Sequence, residues 1–175
     1  MKQDVLIVVD MQNDFIDGAL GSPEAQRIVS RVREKLEAFD GAVYFTRDTH
    51  EVDYRNTQEG RRLPVPHCIR GTKGWEICDV LTPYTKGATV INKPTFGSLD
   101  LPEALCKGGA EAPKRITLVG LCTDICVISN AMLLKASFPE AEITVDAACC
   151  AGVTPQSHKN ALEAMKMCQI KIENA

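Results

Sequence analysis

The stretch Ile116-Thr-Leu-Val-Gly-Leu-Cys-Thr-Asp-Ile-Cys-Val-Ile-Ser-Asn-Ala-Met-Leu-Leu-Lys-Ala-Ser137 changes period partway along, and that change decides the fold. Ile116–Val119 is a short apolar, β-branched run of the length of a buried strand, closed by Gly120. From about Asp124 to Ser137 the residues read as a helix. A strand that turns directly into a helix is half of a crossover unit, and parallel strands need such crossovers.

The same alternation continues in both directions. Upstream, Val5–Val9 reads as a strand and about Pro23–Phe39 as a helix. Ser22 is placed to cap that helix, with Pro23 at its first position, while Ile28, Val32 and Leu36 share one face. Strand Ala42–Thr46 follows, then a long polar loop to about Gly71, a helix near Trp75–Leu81, strand Thr89–Asn92 and a short helix Leu101–Cys106. Downstream come strand Glu142–Val145, helix Pro155–Met167 and strand Gln169–Ile172. Six strands interleaved with helices predict a three-layer α/β/α fold around a six-stranded, mostly parallel, Rossmann-like sheet, with 1–175 as one domain. Ligands of such sheets bind beyond the carboxyl ends of the strands, which singles out Asp10, Asp48, Lys93 and the 120–126 loop.

Composition narrows the function. The 175 residues are 45% apolar and 25% charged, as in a soluble globular protein, and a net charge of −3 gives no electrostatic case for nucleic acid. The apolar run before Asp10 is too short for a signal segment or a membrane span. The expectation is a cytoplasmic protein with no membrane partner, whose eight cysteines are free thiols in a reducing compartment.

Cys126 falls in the first turn of the helix after Gly120, where unpaired N–H groups and the helix dipole favour a thiolate and can hold an oxyanion. A carboxylate to take its proton and an ammonium to hold the ion pair would complete an acyl-transfer set, and Asp10 and Lys93 offer these groups. The loop alone leaves Cys122 as a rival nucleophile, and leaves two buried structural thiols as the plainer alternative. Taken singly, Asp10 could be a solvated strand end and Lys93 a surface lysine, although Pro94 restrains Lys93 to extended backbone. Asp48, His50, Glu59 and His67 share one polar loop and suit a divalent ion such as zinc, manganese or iron. Cys68 is a conceivable further ligand, and a ligand-free polar loop is the alternative. Gln12, Asn13, Asp14 and Phe15 form a polar loop with one aromatic ring, a plausible rim for a flat substrate. His158 reads as a structural hydrogen-bonder.

In this order VVDMQNDF (8–15), TRDTH (46–50), PHCIRGT (66–72), NKPTFGS (92–98) and VGLCTDICV (119–127) resemble the isochorismatase-like cysteine hydrolases, and within them the nicotinamidases (pyrazinamidases) most closely. The resemblance implies that Cys126 is the nucleophile, Asp10 its proton acceptor and donor, and Lys93 the group favouring the thiolate. It implies a cis peptide at Leu121–Cys122 and an oxyanion hole from the N–H groups of Cys122 and Cys126. It places a divalent metal on Asp48, His50 and His67 with Glu59 as the fourth position, since Asn56 stands where some relatives have histidine. The implied substrate is a small amide, nicotinamide first, cleaved through a thioester, with Phe15 and Phe96 flanking a flat ring. Another small amide or ureido compound is the alternative, and a non-catalytic binding protein on the same fold a further one. Relatives commonly associate, so a homo-oligomer is expected. Two departures stand out: Leu63-Pro64-Val65-Pro66 lacks the aromatic residue usual before the PHC-like motif, and the segment after Lys93 is short.

Overall fold

The computed structural model describes residues 4–107 and 111–175. Strand β1 (Asp4–Val9) is buried on both sides. Val5, Ile7 and Val9 enter one core, while Leu6 and Val8 enter the other. Two covered faces are why the run is continuously apolar rather than alternating. Around it lie β2 (Ala42–Asp48), β3 (Thr89–Lys93), β4 (Arg115–Leu121), β5 (Glu142–Ala151) and β6 (Lys171–Glu173). The sheet order is β3-β2-β1-β4-β5-β6, and all five pairings are parallel.

Helix α1 (Asn13–Ile16) is a single turn after β1, and α2 (Pro23–Ala38) covers one sheet face through Ala25, Ile28, Val32 and Leu36. The Ser22 hydroxyl accepts from Ala25 N–H at 3.1 Å, as the capping pattern predicts. On the other face, α4 (Asp100–Leu105), α5 (Ile128–Ser137) and α6 (Pro155–Met167) bury Leu101, Leu105, Ala131, Leu134, Leu162 and Met165. Three layers result, as expected. Among the described residues no helix is long and apolar enough to cross a membrane.

Four expectations need correction. The helix near Trp75–Leu81 does not form; a 3₁₀ turn spans Lys73–Trp75 and irregular chain follows. Its apolar spacing arises because Ile77, Cys78 and Leu81 plug the same core as α2, and Ile77 bridges to Gln12. The polar loop is not structureless: it holds a 3₁₀ turn at Tyr54–Asn56 and helix α3 (Gln58–Arg62), capped by the Thr57 hydroxyl accepting from Gly60 N–H. Strand β5 runs on to Ala151, well past Val145, because its register against β4 shifts between Leu118 and Gly120. The last strand starts at Lys171, after Gln169 has taken a left-handed φ of 63°.

From β1 the chain moves outward through β2 to β3, then returns to place β4 on the other side of β1. That reversal opens a crevice beyond the carboxyl ends of β1 and β4.

Candidate active site

Asp10 ends β1 with φ 47°, a left-handed conformation uncommon outside glycine that tips its carboxylate over the sheet edge. Its Oδ1 accepts from the Thr46 hydroxyl at 2.7 Å. Lys93 is the last residue of β3, in register with Asp48 on β2. Its ammonium lies 2.6 Å from Asp10 Oδ2, 3.3 Å from Asp48 Oδ1 and 3.4 Å from Cys126 Sγ. All four residues are buried. The constellation read from strand ends is therefore assembled in space.

Burial disfavours the charge on Lys93, but Asp10, Cys126 and Asp48 outweigh it and hold the ammonium above the ordinary lysine range. For Asp10 the balance goes the other way, and burial raises its pKa against the pull of Lys93. Burial, with the Asp10 charge beside it, also lifts the Cys126 thiol well above the usual range. Burial thus works against the thiolate that a helix start favours, and the first turn is a π-helical one, Thr123–Val127. Asp10 Oδ2 has Lys93 at ion-pair distance yet no aligned hydrogen bond, which leaves an acceptor lone pair near the thiol.

The rival thiol separates clearly. Cys122 is half-buried in the same cavity wall, its pKa pushed up to about 12 by burial, and only Cys126 meets Lys93 directly. The Leu121–Cys122 peptide is cis, as the resemblance implied. Gly120 carries φ 118°, and a Cβ there would lie 2.1 Å from the Val9 carbonyl oxygen, so β1 and β4 close up only with glycine at this point. His158 plays the structural part expected of it, with Nδ1 2.7 Å from the Thr123 hydroxyl.

Asp48, His50 and His67 converge, their donor atoms all within 4.8 Å of one another. Asp48 Oδ2 is 2.9 Å from His50 Nε2 and 3.6 Å from His67 Nε2. These spacings suit edges of a polyhedron around an ion bound at about 2.1 Å. His67 Nδ1 donates to the Val65 carbonyl at 2.8 Å, which fixes the tautomer and leaves Nε2 an inward lone pair. His50 Nε2 is buried with no aligned hydrogen bond, an orphaned donor atom that a cation would satisfy. Glu59 Oε1 approaches the two imidazoles at 3.5 and 3.9 Å. The donor set fits a divalent ion. Cys68 is buried but stands outside the group.

Phe15, Phe96, Asp48, Glu59, His67 and Cys126 all line one cavity of about 400 Å³. A larger one, about 590 Å³, lies by α6 and contains none of these residues. Phe15 packs on His67, ring centroids 5.5 Å apart. Its neighbours in sequence do not form a substrate rim. Gln12 is fully buried and clamps Asp48 from both sides, accepting from its N–H at 2.7 Å and donating to its carbonyl at 2.8 Å. Asp14 accepts from Cys68 N–H at 2.8 Å, tethering the loop that carries His67.

Two further supports carried no sequence signal. Asn130 is buried; it donates to the Cys126 carbonyl at 2.8 Å and accepts from Ser98 N–H at 2.9 Å, tying the cysteine to the Phe96 loop. Tyr54 sets its ring against both imidazoles, at 4.6 and 5.0 Å, and its hydroxyl donates to the Leu63 carbonyl. Their types and spacing are ordinary for helix and loop residues, so only the fold reveals them.

A buried Cys-Asp-Lys cluster stands beside a histidine-carboxylate group at the switch point of a parallel sheet, an arrangement with the groups that acyl transfer needs. The isochorismatase-domain family matches residues 4–174, and the chain belongs to it. Its fold is similar to that of nicotinamidase/pyrazinamidase PncA from Bacillus subtilis, at 27% identity and a TM-score of 0.85, with 99% of this chain and 100% of that one covered. It is similar to the pyrazinamidase of Pyrococcus horikoshii in complex with zinc, at 28% identity, a TM-score of 0.78 and coverage of 97% and 98%. N-carbamoylsarcosine amidase from Thermoplasma acidophilum also matches, at 28% identity, a TM-score of 0.79 and coverage of 99% and 96%. The protein is an isochorismatase-family hydrolase with nicotinamidase-like architecture.

Proposed function

We propose that this protein deamidates a small amide, nicotinamide first, through a thioester on Cys126. One observation carries the reading: the Cys126 thiol and the Asp48/His67 donors line the same cavity as Phe15 and Phe96. Substrate binds with its ring between the two phenyl groups and its carbonyl carbon beside Sγ. Asp10 takes the thiol proton as Sγ attacks, and Lys93 holds the charge formed in the buried site. The N–H groups of Cys122 and Cys126 receive the oxyanion. Asp10 then passes its proton to the leaving nitrogen, and ammonia departs from an acyl-thioester. Water, deprotonated by Asp10, attacks that thioester, releasing the acid and regenerating the thiol.

Asp48, His50 and His67, with Glu59 at the fourth position, would hold a zinc, manganese or iron ion. Such an ion supplies an electrophilic anchor for a substrate heteroatom such as the pyridine nitrogen. The zinc complex of the Pyrococcus horikoshii pyrazinamidase supports this assignment. The same reading takes the chain as one catalytic domain, working in the cytoplasm as a homo-oligomer.

The test is ammonia release from nicotinamide by the purified, metal-loaded protein. Turnover is expected, with loss of at least a thousandfold on Cys126→Ala; no turnover of nicotinamide would remove that substrate. A second reading keeps the chemistry on another amide or ureido compound. It is favoured by Leu63-Pro64-Val65-Pro66, which supplies no aromatic wall, and by the similarity to N-carbamoylsarcosine amidase.

A further inference from the structure

The charged groups at the inner end of the cavity are committed to one another. Lys93 is held by Asp10 and Asp48, and Asp48 and Glu59 face the imidazoles. The α3 wall is different. Gln58 and Arg62 flank Glu59 one turn apart on that helix, both line the cavity, and neither side chain makes a hydrogen bond or ion pair among the described residues. The adjacent Arg61, by contrast, donates to the Asn56 carbonyl. Leu20, Leu63 and the two phenylalanines fill the space between with apolar surface.

The cavity is therefore polar in a directional sense. Lys93 and the imidazoles offset the carboxylates at its inner end, while Arg62 is a cation on its wall whose side chain has no partner among the described residues, accompanied by the carboxamide of Gln58. A guanidinium presents a planar fork that matches a carboxylate in two hydrogen bonds, which a lysine in the same place would not. An anionic substituent would be drawn to Arg62, the charge on the cavity wall that no carboxylate neutralises. Its neutral amide would then be left toward Cys126.

We propose that Arg62, assisted by Gln58, is a specificity-determining residue that selects amides carrying a carboxylate in addition to the scissile amide. This rests on the second amidase reading above, an amide other than nicotinamide, and narrows its substrate class. The bond broken is unchanged: the C–N bond of the primary amide, with ammonia as the leaving group, while the carboxylate is bound and not altered.

The test compares succinic acid monoamide with neutral succinamide as substrates of wild-type protein, Arg62→Gln, Arg62→Lys and Gln58→Ala. Wild type is expected to favour the anionic amide in kcat/KM by about two- to fivefold, the range for a solvent-accessible charged pair. Arg62→Gln should erase that ratio and Arg62→Lys should restore only part of it. An equal rate on both amides in wild type, or the same ratio in Arg62→Gln, overturns the proposal while leaving ammonia release as support for the amidase reading. Binding of the monoamide to metal-stripped Cys126→Ala protein, measured by calorimetry, gives a readout that needs no turnover and no metal. Weaker binding when Arg62→Gln is added supports the proposal, and unchanged binding sinks it. Absence of hydrolysis of every amide would count against the thioester reading alone.

Discussion

In the proposed mechanism Asp10 carries the heaviest duty of any residue in the site, because the same carboxylate neutralises Lys93, takes the thiol proton and returns it. Asp10→Asn is expected to lower kcat by about 10²- to 10⁴-fold. The circular dichroism spectrum should be unchanged, since Lys93 keeps Asp48 at 3.3 Å as a counter-ion. Asn130→Ala acts differently: it strips partners from the Cys126 carbonyl and Ser98 N–H, both buried, at about 1–3 kcal/mol each. Its melting temperature should fall, and with it kcat, as the cysteine loses its tie to the Phe96 loop. Gln12→Met removes the clamp on Asp48 and should weaken zinc affinity about 10- to 100-fold by titration against a chelator, the loss typical when the support behind a ligand is removed. At this scale the sequence disclosed reactive groups and hid their supports. Asp10 and Lys93 sit at strand ends and Cys126 in a helix start, each with a reactive group, whereas Gln12 acts through the distant backbone of Asp48 and Asn130 through Cys126 and the distant Ser98, and an amide side chain carries no mark of that.

The elements were legible where one physical cause dominated. Val5–Val9 and Ile116–Val119 are buried on both faces, so their apolar runs could be read directly, and Ser22-Pro23 declares a helix start by its capping chemistry. Trp75–Leu81 misled because three apolar side chains plug a core from irregular chain and mimic helical spacing. The register shift in β5 hid its second half: Ile143, Val145 and Ala147 face one core, but beyond the shift Cys149 and Ala151 face the other. Gly120 is the element-scale weak point. In Gly120→Ala the new methyl meets the Val9 carbonyl at a φ that L-residues rarely adopt, so the variant should be expressed insoluble or melt far below wild type. Soluble expression with wild-type melting would show that β1 and β4 can move apart.

Across the whole molecule, α2 is tied to β5 by Lys35 and Asp146, whose charged atoms are 2.8 Å apart. Burial works to raise Asp146, but hydrogen bonds from Lys35 and Asn174 outweigh it and hold the carboxyl below its ordinary 3.8. Burial works to lower Lys35, but Asp146 outweighs it and raises the ammonium above 10.5. A depressed acid stabilises the fold above its unfolded value and stops doing so as pH falls through its folded one; a raised base does so below its unfolded value until pH passes its folded one. The pair should therefore contribute evenly from about pH 5 to 9. Asp146→Asn should lower the melting temperature at pH 7, with the deficit shrinking as pH approaches 3.

The strand order has one more consequence. Strands β3, β2 and β1, with their loops, bring Asp10, Asp48, His50, His67 and Lys93, while β4 alone delivers Cys126. Within the sheet, the half of the chain proposed to hold the cation and handle the proton meets the half proposed to make the bond along one ladder, Asp4–Val9 against Arg115–Gly120. Neither half contains a reaction. On the proposed thioester mechanism, catalytic competence would be a property of that seam, and loosening it would silence the enzyme while every site residue stayed in place on its own strand.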